Sequence, residues 1–198
     1  MGTNCGDAGG AAADATIGMR TLILATVLLL PAAAFARDWN VDAAKSTLGF
    51  KGSYQKEAFN GSFKKFDATI TYDAADLAKA KFDVTVDLAS ADTSSAERDD
   101  TLKGSDFFAT AKFPKAHFVT SSFAKGADGS VTAQGTLTIR DQSKPVTLKV
   151  AFAESGNTAT LDVDTTLKRA DFGLGAGSDW TDVGADVPVH GHLVLAGK

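Results

Sequence analysis

From Thr47 onward, hydrophobic and polar side chains alternate with a period of two. The clearest case is KFDVTVDL, where Phe82, Val84, Val86 and Leu88 point one way and Lys81, Asp83, Thr85 and Asp87 the other. Successive side chains of a strand face opposite sides, so this is a half-buried strand of an antiparallel sheet. Leu48 and Phe50 share a face in STLGFKG, as do Phe66, Ala68, Ile70 and Tyr72 in FDATITY. The alternation returns over Val131 to Ile139, Val146 to Phe152, Ala159 to Leu167 and Val187 to Leu195. With Lys115 to Ala124 the count reaches roughly eight strands. Turn signals part them at Tyr72-Asp73, Gly126 to Gly129, Asp141 to Lys144 and Ser155-Gly156-Asn157. Such strands fit a two-sheet sandwich or a closed barrel. Closure removes the exposed edges of so long a sheet and favours the barrel, and eight strands enclose room for one ligand. The predicted fold is therefore all-β, an eight-stranded antiparallel barrel with one short helix.

One stretch interrupts the pattern, SSAERDDTLKGSDFFATAKFPKAHFVTSSF from Ser94 to Phe123. Ser94 and Glu97 have capping-box spacing, which predicts a helix of about two turns over Ser95 to Lys103. Lys103 and Gly104 supply the basic last turn and the stop. So short a helix must be held by packing, with Leu102 as its apolar contact and Phe107 and Phe108 as anchors. The element either plugs one end of the barrel or lines it.

Composition removes several alternatives. Met19 to Ala36 reads MRTLILATVLLLPAAAFA: one Arg, an apolar run too short for a permanent anchor, and a small-x-small cleavage pattern. Residues 1–36 are thus predicted as a leader cleaved after Ala36, and 37–198 as the barrel domain. The segment before Met19 carries Asp7 and Asp14 and no basic residue, the wrong charge for the start of a signal, so either translation begins at Met19 or the segment is a disordered extension. Cys5 lies in that segment, and the mature chain has no cysteine. Export without disulfides points to a periplasmic location. Removing Arg20, Asp7 and Asp14 leaves 19 basic against 22 acidic residues, a net charge of −3 without long runs. No basic face invites nucleic acid, and a mildly acidic surface argues against docking on anionic headgroups.

Twelve phenylalanines follow Ala36, with two Trp and two Tyr. Large rings converging on a barrel axis either fill it or line a cavity, and burial of each is worth about 1.5–3 kcal/mol in both cases. A second aromatic stretch, LKRADFGLGAGSDWTDVGADVPV from Leu167, sets Phe172 and Trp180 among glycines in a loop suited to a cavity mouth. Arg169 there is placed either to neutralise a head group or to pair with Asp171 or another surface carboxylate. His190 and His192 share a strand face, opposite Val189 and Leu193, where no third metal ligand is evident; no metal site or cofactor is predicted. Arg98-Asp99-Asp100 reads as a capped or ion-paired helix surface, and no G-x-S-x-G, H-E-x-x-H or Cys/His arrangement is present.

ERDDTLKGSDFFATAKFPKAHF, followed by GTLTIRDQSKPVTLKV, resembles the YceI family of secreted lipocalin-like proteins. WNVDAAKSTLGFKG and NGSFKKFDATI fit it too, with Asp42, Ser46, Phe50, Gly61, Phe63 and Phe66 at motif positions. The resemblance implies a lipocalin-like barrel whose apolar cavity holds a polyisoprenoid chain, an isoprenoid quinone or polyprenyl phosphate, or a similar amphiphile. It also implies a periplasmic home, at times beside a membrane b-type cytochrome, and makes a homodimer plausible. The tail-lining residues expected are Phe50, Phe66, Phe82, Leu102, Phe107, Phe108, Phe113, Phe118, Leu137, Phe172 and Trp180, with Arg98 and Arg169 as weaker head-group candidates. One departure stands out: where many members carry His-Ser, this chain has Lys45-Ser46, and no His follows near Tyr54. The principal expectation is a lipid-binding protein without catalysis. The alternative is an enzyme or redox accessory acting on such a lipid through Arg98, Arg169 or the His190/His192 pair.

Overall fold

The computed structural model describes residues 37–198; the leader inferred for 1–36 lies outside the described residues. Eleven strands form one sheet. They are β1 (Arg37–Val41), β2 (Thr47–Tyr54), β3 (Glu57–Phe63), β4 (Phe66–Tyr72), β5 (Lys81–Asp87), β6 (Ala91–Asp92), β7 (Lys115–Lys125), β8 (Val131–Ile139), β9 (Gln142–Ser155), β10 (Thr158–Lys168) and β11 (Asp186–Gly197). All pairings are antiparallel, and β1 pairs with both β4 and β11, which closes the sheet into a ring.

The ring has eight staves, three of them broken. Along one edge of β11, β1 pairs with its end (Val41 opposite Leu195) and β2 with its middle (Leu48 opposite Gly191). Thus β1 and β2 form one stave interrupted at Asp42 to Ser46. In the same way β3 and β4 continue each other, as do β5 and β6. The eight-strand expectation therefore holds for the barrel, while the alternation alone left β1, β3 and β6 unassigned. The first break is tied by Ser46, whose Oγ donates to the Asp42 carbonyl (2.7 Å) and accepts from the Val194 N–H (3.0 Å). Lys45 pairs with Asp42 at 2.9 Å. The Lys45-Ser46 departure is thus part of a structural turn beside Val41 and Leu195, in the filled half of the barrel.

The helix α1 (Ala96–Lys103) begins one residue later than predicted. Its cap is Ser95, whose side chain accepts from the Arg98 N–H, whereas Ser94 sits at φ 59° and caps nothing. The Ser94/Glu97 capping box is therefore not formed. No residue of α1 is fully buried, so hydrogen bonds hold the helix more than packing does. Asp99 accepts from the Thr93 N–H (2.8 Å) and hydroxyl (2.7 Å), and the Phe108 N–H donates to the Leu102 carbonyl (2.9 Å). With Asp99 so engaged and Asp100 3.7 Å from Lys103, the Arg98-Asp99-Asp100 cluster is structural.

The interior divides into two halves. Trp39, Ile70, Tyr72, Phe82, Leu161 and Leu195 are buried together in one cluster, packed further by Phe123 and Phe152. Tyr72 stacks on Phe152 at 4.5 Å between centroids and Phe123 meets Phe82 edge-on at 4.9 Å. Burial there pushes the Tyr72 phenol above its ordinary range. This half is filled. The second cluster, around Leu88, Phe107, Phe108, Ile139, Phe172 and Leu174, surrounds space.

Candidate functional site

The hollow half holds a chamber of about 220 Å³. Its walls come from the inner faces of the staves, with Val84 and Val86 of β5, Phe118 of β7, Leu137 of β8, Val146 and Leu148 of β9, and Leu167 of β10. Period-two alternation dictates this apolar lining, because each stave sends every second side chain inward. Leu102, Phe107, Phe108, Phe172 and Leu174 close the end. Three rings are laid flat by glycine. A Cβ on Gly61 would lie 2.2 Å from the Phe50 ring, one on Gly52 2.4 Å from Phe59, and one on Gly135 2.6 Å from Phe118. Phe50 faces Gly61 directly across the β2–β3 ladder, so the missing side chain is the seat of the ring. Phe63 then bridges Phe50 (5.3 Å) and Phe108 (6.0 Å), which accounts for the Phe50, Gly61 and Phe63 motif positions.

The predicted site residues fall into three groups. Phe50, Leu102, Phe107, Phe108, Phe118, Leu137 and Phe172 line the chamber. Phe82 and Phe66 pack in the first cluster and are not among the residues that line the chamber. Phe113 and Trp180 lie outside the lining: Phe113 is half-buried beneath Lys112 at 5.0 Å, and Trp180 stacks edge-on behind Phe107 at 4.9 Å. Alternation cannot separate these groups, since it gives the face of a strand and not the height along the barrel.

Both candidate head-group arginines are engaged by the protein itself. Arg98 lies 4.1 Å from the Phe59 ring centroid, is not among the residues lining the chamber, and donates to the Thr93 carbonyl. Arg169 spends all five N–H donors on backbone carbonyls. Nε reaches Gly184 (3.0 Å); one terminal nitrogen reaches Leu174 (2.8 Å) and Gly175; the other reaches Trp180 (2.8 Å) and Val183 (3.0 Å). No donor is left for a ligand, and neither Asp171 nor any other carboxylate is its partner. The planar fork instead folds the Gly-rich loop into the wall.

Arg140, which the sequence did not single out, ties that loop to the helix side. At φ 58° in the β8–β9 turn, it donates to the Phe107 (3.1 Å) and Gly173 (3.2 Å) carbonyls. Its buried Nε has no partner. Asp106 completes the lacing, accepting from the Gly175 N–H at its carbonyl (2.6 Å) and from the Trp180 indole at its carboxylate (3.0 Å).

Outside the wall lies an open cleft of about 980 Å³, which shares Phe50, Val146, Thr165, Leu167, Phe172 and Val189 with the chamber. The shared residues Val146, Thr165 and Leu167 lie where the wall splits. The β9–β10 ladder ends at Asp164 opposite Lys149, yet β9 continues along β8 to Gln142 and β10 along β11 to Lys168. At the fork the Thr165 hydroxyl, in place of the ladder, donates to the Thr147 carbonyl (2.9 Å). Pro145, which has no N–H to give, lies in the stretch of β9 that is not paired with β10. On the outer face His190 is bonded to Asp164 (2.8 Å) and His192 to Asp162 (2.6 Å). Among the described residues no group of three or more His, Cys, Asp or Glu is arranged to hold a metal ion.

A closed antiparallel ring, filled at one end, hollow and apolar at the other and carrying, among the described residues, one short α-helix, defines a lipocalin-like barrel. The YceI-like domain family matches residues 39–195, and the chain belongs to that family. It is 33% identical over 137 residues to a UPF0312 protein of Shewanella denitrificans, covering 68% of this chain and 72% of that one. A UPF0312 protein of Pseudomonas putida is 32% identical over 180 residues, 86% and 94% of the two chains. The crystal structure of Burkholderia cenocepacia BcnA superposes with TM-score 0.74 at 33% identity, covering 78% of this chain and 99% of that one. A polyisoprenoid binding domain from Saccharophagus degradans has the same fold, with TM-score 0.64 at 18% identity over 83% and 100% of the chains.

Proposed function

We propose that this protein is an exported, periplasmic carrier that sequesters or transports an amphiphile with a long apolar tail, an isoprenoid quinone or a polyprenyl phosphate. The observation that carries the reading is the chamber of about 220 Å³ walled by aliphatic and aromatic side chains, which shares lining residues with an open cleft beside a split in the barrel wall. Buried methylene groups contribute about 0.8 kcal/mol each, so a prenyl tail needs few polar contacts. The chamber takes the end of the tail, and the remainder follows the shared apolar track of Phe50, Val146, Leu167 and Val189 into the cleft. That the Saccharophagus neighbour of the same fold is described as a polyisoprenoid binding domain supports the choice of ligand class. Export rests on the signal pattern of Met19 to Ala36.

Native mass spectrometry of the gently purified protein, followed by organic extraction, tests the carrier reading. A bound lipid is expected. Absence of any lipid, together with failure of added quinone and polyprenol to bind, sinks it. N-terminal sequencing of the protein recovered from the periplasm should read Arg37 first, and an uncleaved, cytoplasmic chain would overturn the placement.

A further inference from the structure

The inner face of β9 runs Lys144, Val146, Leu148, Val150, Phe152, and its first member is charged. Lys144 lies directly opposite Leu137 across the β8–β9 ladder, and opposed residues project to the same side of a sheet. Leu137 lines the chamber, while Lys144 is half-buried in the wall of the cleft, beside the split. The turn signal Asp141 to Lys144 places this residue outside a strand, whereas the β8–β9 turn closes at Arg140-Asp141 and β9 already starts at Gln142. A lysine ammonium on the apolar side of a barrel wall is costly unless something anionic meets it. No carboxylate of the described residues lies within salt-bridge distance of it, whereas Lys45, Lys64, Lys81 and Lys103 are each paired. Lys51, Lys149 and Lys168 line the same cleft, also without an ion pair. The cleft's two carboxylates are Asp164, held by His190, and Asp171.

We propose that the split between β9 and β10 is a lateral portal at which Lys144, backed by Lys51, Lys149 and Lys168, binds the anionic head group of an amphiphile whose tail enters the chamber. The ligand class is thereby narrowed to phosphates or carboxylates on long apolar tails, in preference to neutral quinones and alcohols. The inference rests on the carrier reading above and assigns the head-group end of the same site. Its logic is positional: the chamber offers no free donor, Arg169 being saturated by carbonyls, and of the cleft's unpaired lysines Lys144 alone is half-buried, so it is the one placed to select the head.

The test is equilibrium binding of geranylgeranyl phosphate, geranylgeraniol, decyl-ubiquinone and palmitate, followed by tryptophan fluorescence, to the wild type and to Lys144→Met. The readout is the ratio of phosphate to alcohol affinity. A charge-assisted contact of this kind predicts a wild-type ratio of about tenfold or more that falls toward unity in Lys144→Met. Lys144→Arg should restore most of it, and Lys125→Met, at the far end of β7, should leave it unchanged. Palmitate bound as tightly as the phosphate, with the same dependence on Lys144, identifies a fatty acid as an equal source of the head group; phosphate bound alone identifies the prenyl phosphate. A ratio near unity in the wild type, or one that survives Lys144→Met, overturns the head-group assignment and leaves the carrier reading standing. Failure of all four ligands to bind overturns both.

Discussion

Replacing Arg169 with Met removes the fork that holds the Gly-rich loop while keeping a flexible apolar stem in its place. Five charge-assisted hydrogen bonds to carbonyls are lost. Their nominal worth of about 1.5–3 kcal/mol each overstates the effect, because carbonyls near the surface regain water. Leu174 and Gly175, however, are buried, so their two acceptors stay dry at about 1–3 kcal/mol apiece. The expected destabilisation is about 3–4 kcal/mol, or a fall in Tm of about 10 °C for a domain of this size. Thermal unfolding followed by circular dichroism measures it. Trp180 reports locally, since its indole bond to Asp106 and its stacking on Phe107 depend on the loop. Its emission should shift to longer wavelength in Arg169→Met. Arg169→Lys should recover little, because a point ammonium with three donors cannot serve acceptors spread around a planar fork. A variant within about 1 kcal/mol of wild type, with Trp180 emission unchanged, would refute the structural role. Intact stability combined with lost lipid binding would return Arg169 to the head group.

Gly61→Ala drives a Cβ against the Phe50 ring and should cost about 1–3 kcal/mol in urea unfolding, together with weaker ligand binding as the ring moves. Gly49→Ala, whose added Cβ meets nothing nearer than 3.5 Å, is the control expected to be near neutral. Ser95→Ala should cost about 0.5–1 kcal/mol and Ser94→Ala almost nothing, the reverse of what the capping-box spacing predicts; chemical denaturation of the pair decides. The hydrogen bond from His117, aided by Lys81, holds the Asp83 carboxyl below its ordinary range. The unfolded chain therefore binds more protons there as pH falls from about 4, and stability drops with falling pH through that interval. Asp83→Asn should shallow the acid limb of the urea midpoint against pH; an unchanged slope would assign it to the other lowered carboxyls, Asp42, Asp92, Asp128 and Asp141.

Much of this architecture was legible along the chain because it depends on local periodicity. Which side chains face inward on β4, β5 and β8 to β11, where the helix lies, and that Phe50, Phe107, Phe108 and Phe172 belong together all follow from alternation, turn residues and motif resemblance. The misplaced cap arose because two adjacent serines offer the same chemistry and only backbone geometry chooses between them. Three broken staves were not separable from independent strands, since a break such as Asp42 to Ser46 is defined by what β11 continues to pair with.

By itself, then, the sequence determined the barrel, the inward face of most staves and the family, because strand parity and turn chemistry are written residue by residue. Only the tertiary structure decided that the barrel is filled around Phe82 and hollow around Phe107, that Arg169 is consumed by carbonyls, and that Lys144 stands unpaired at a split wall. Each of these depends on height along the barrel axis and on partners distant in sequence, quantities that a period of two does not encode.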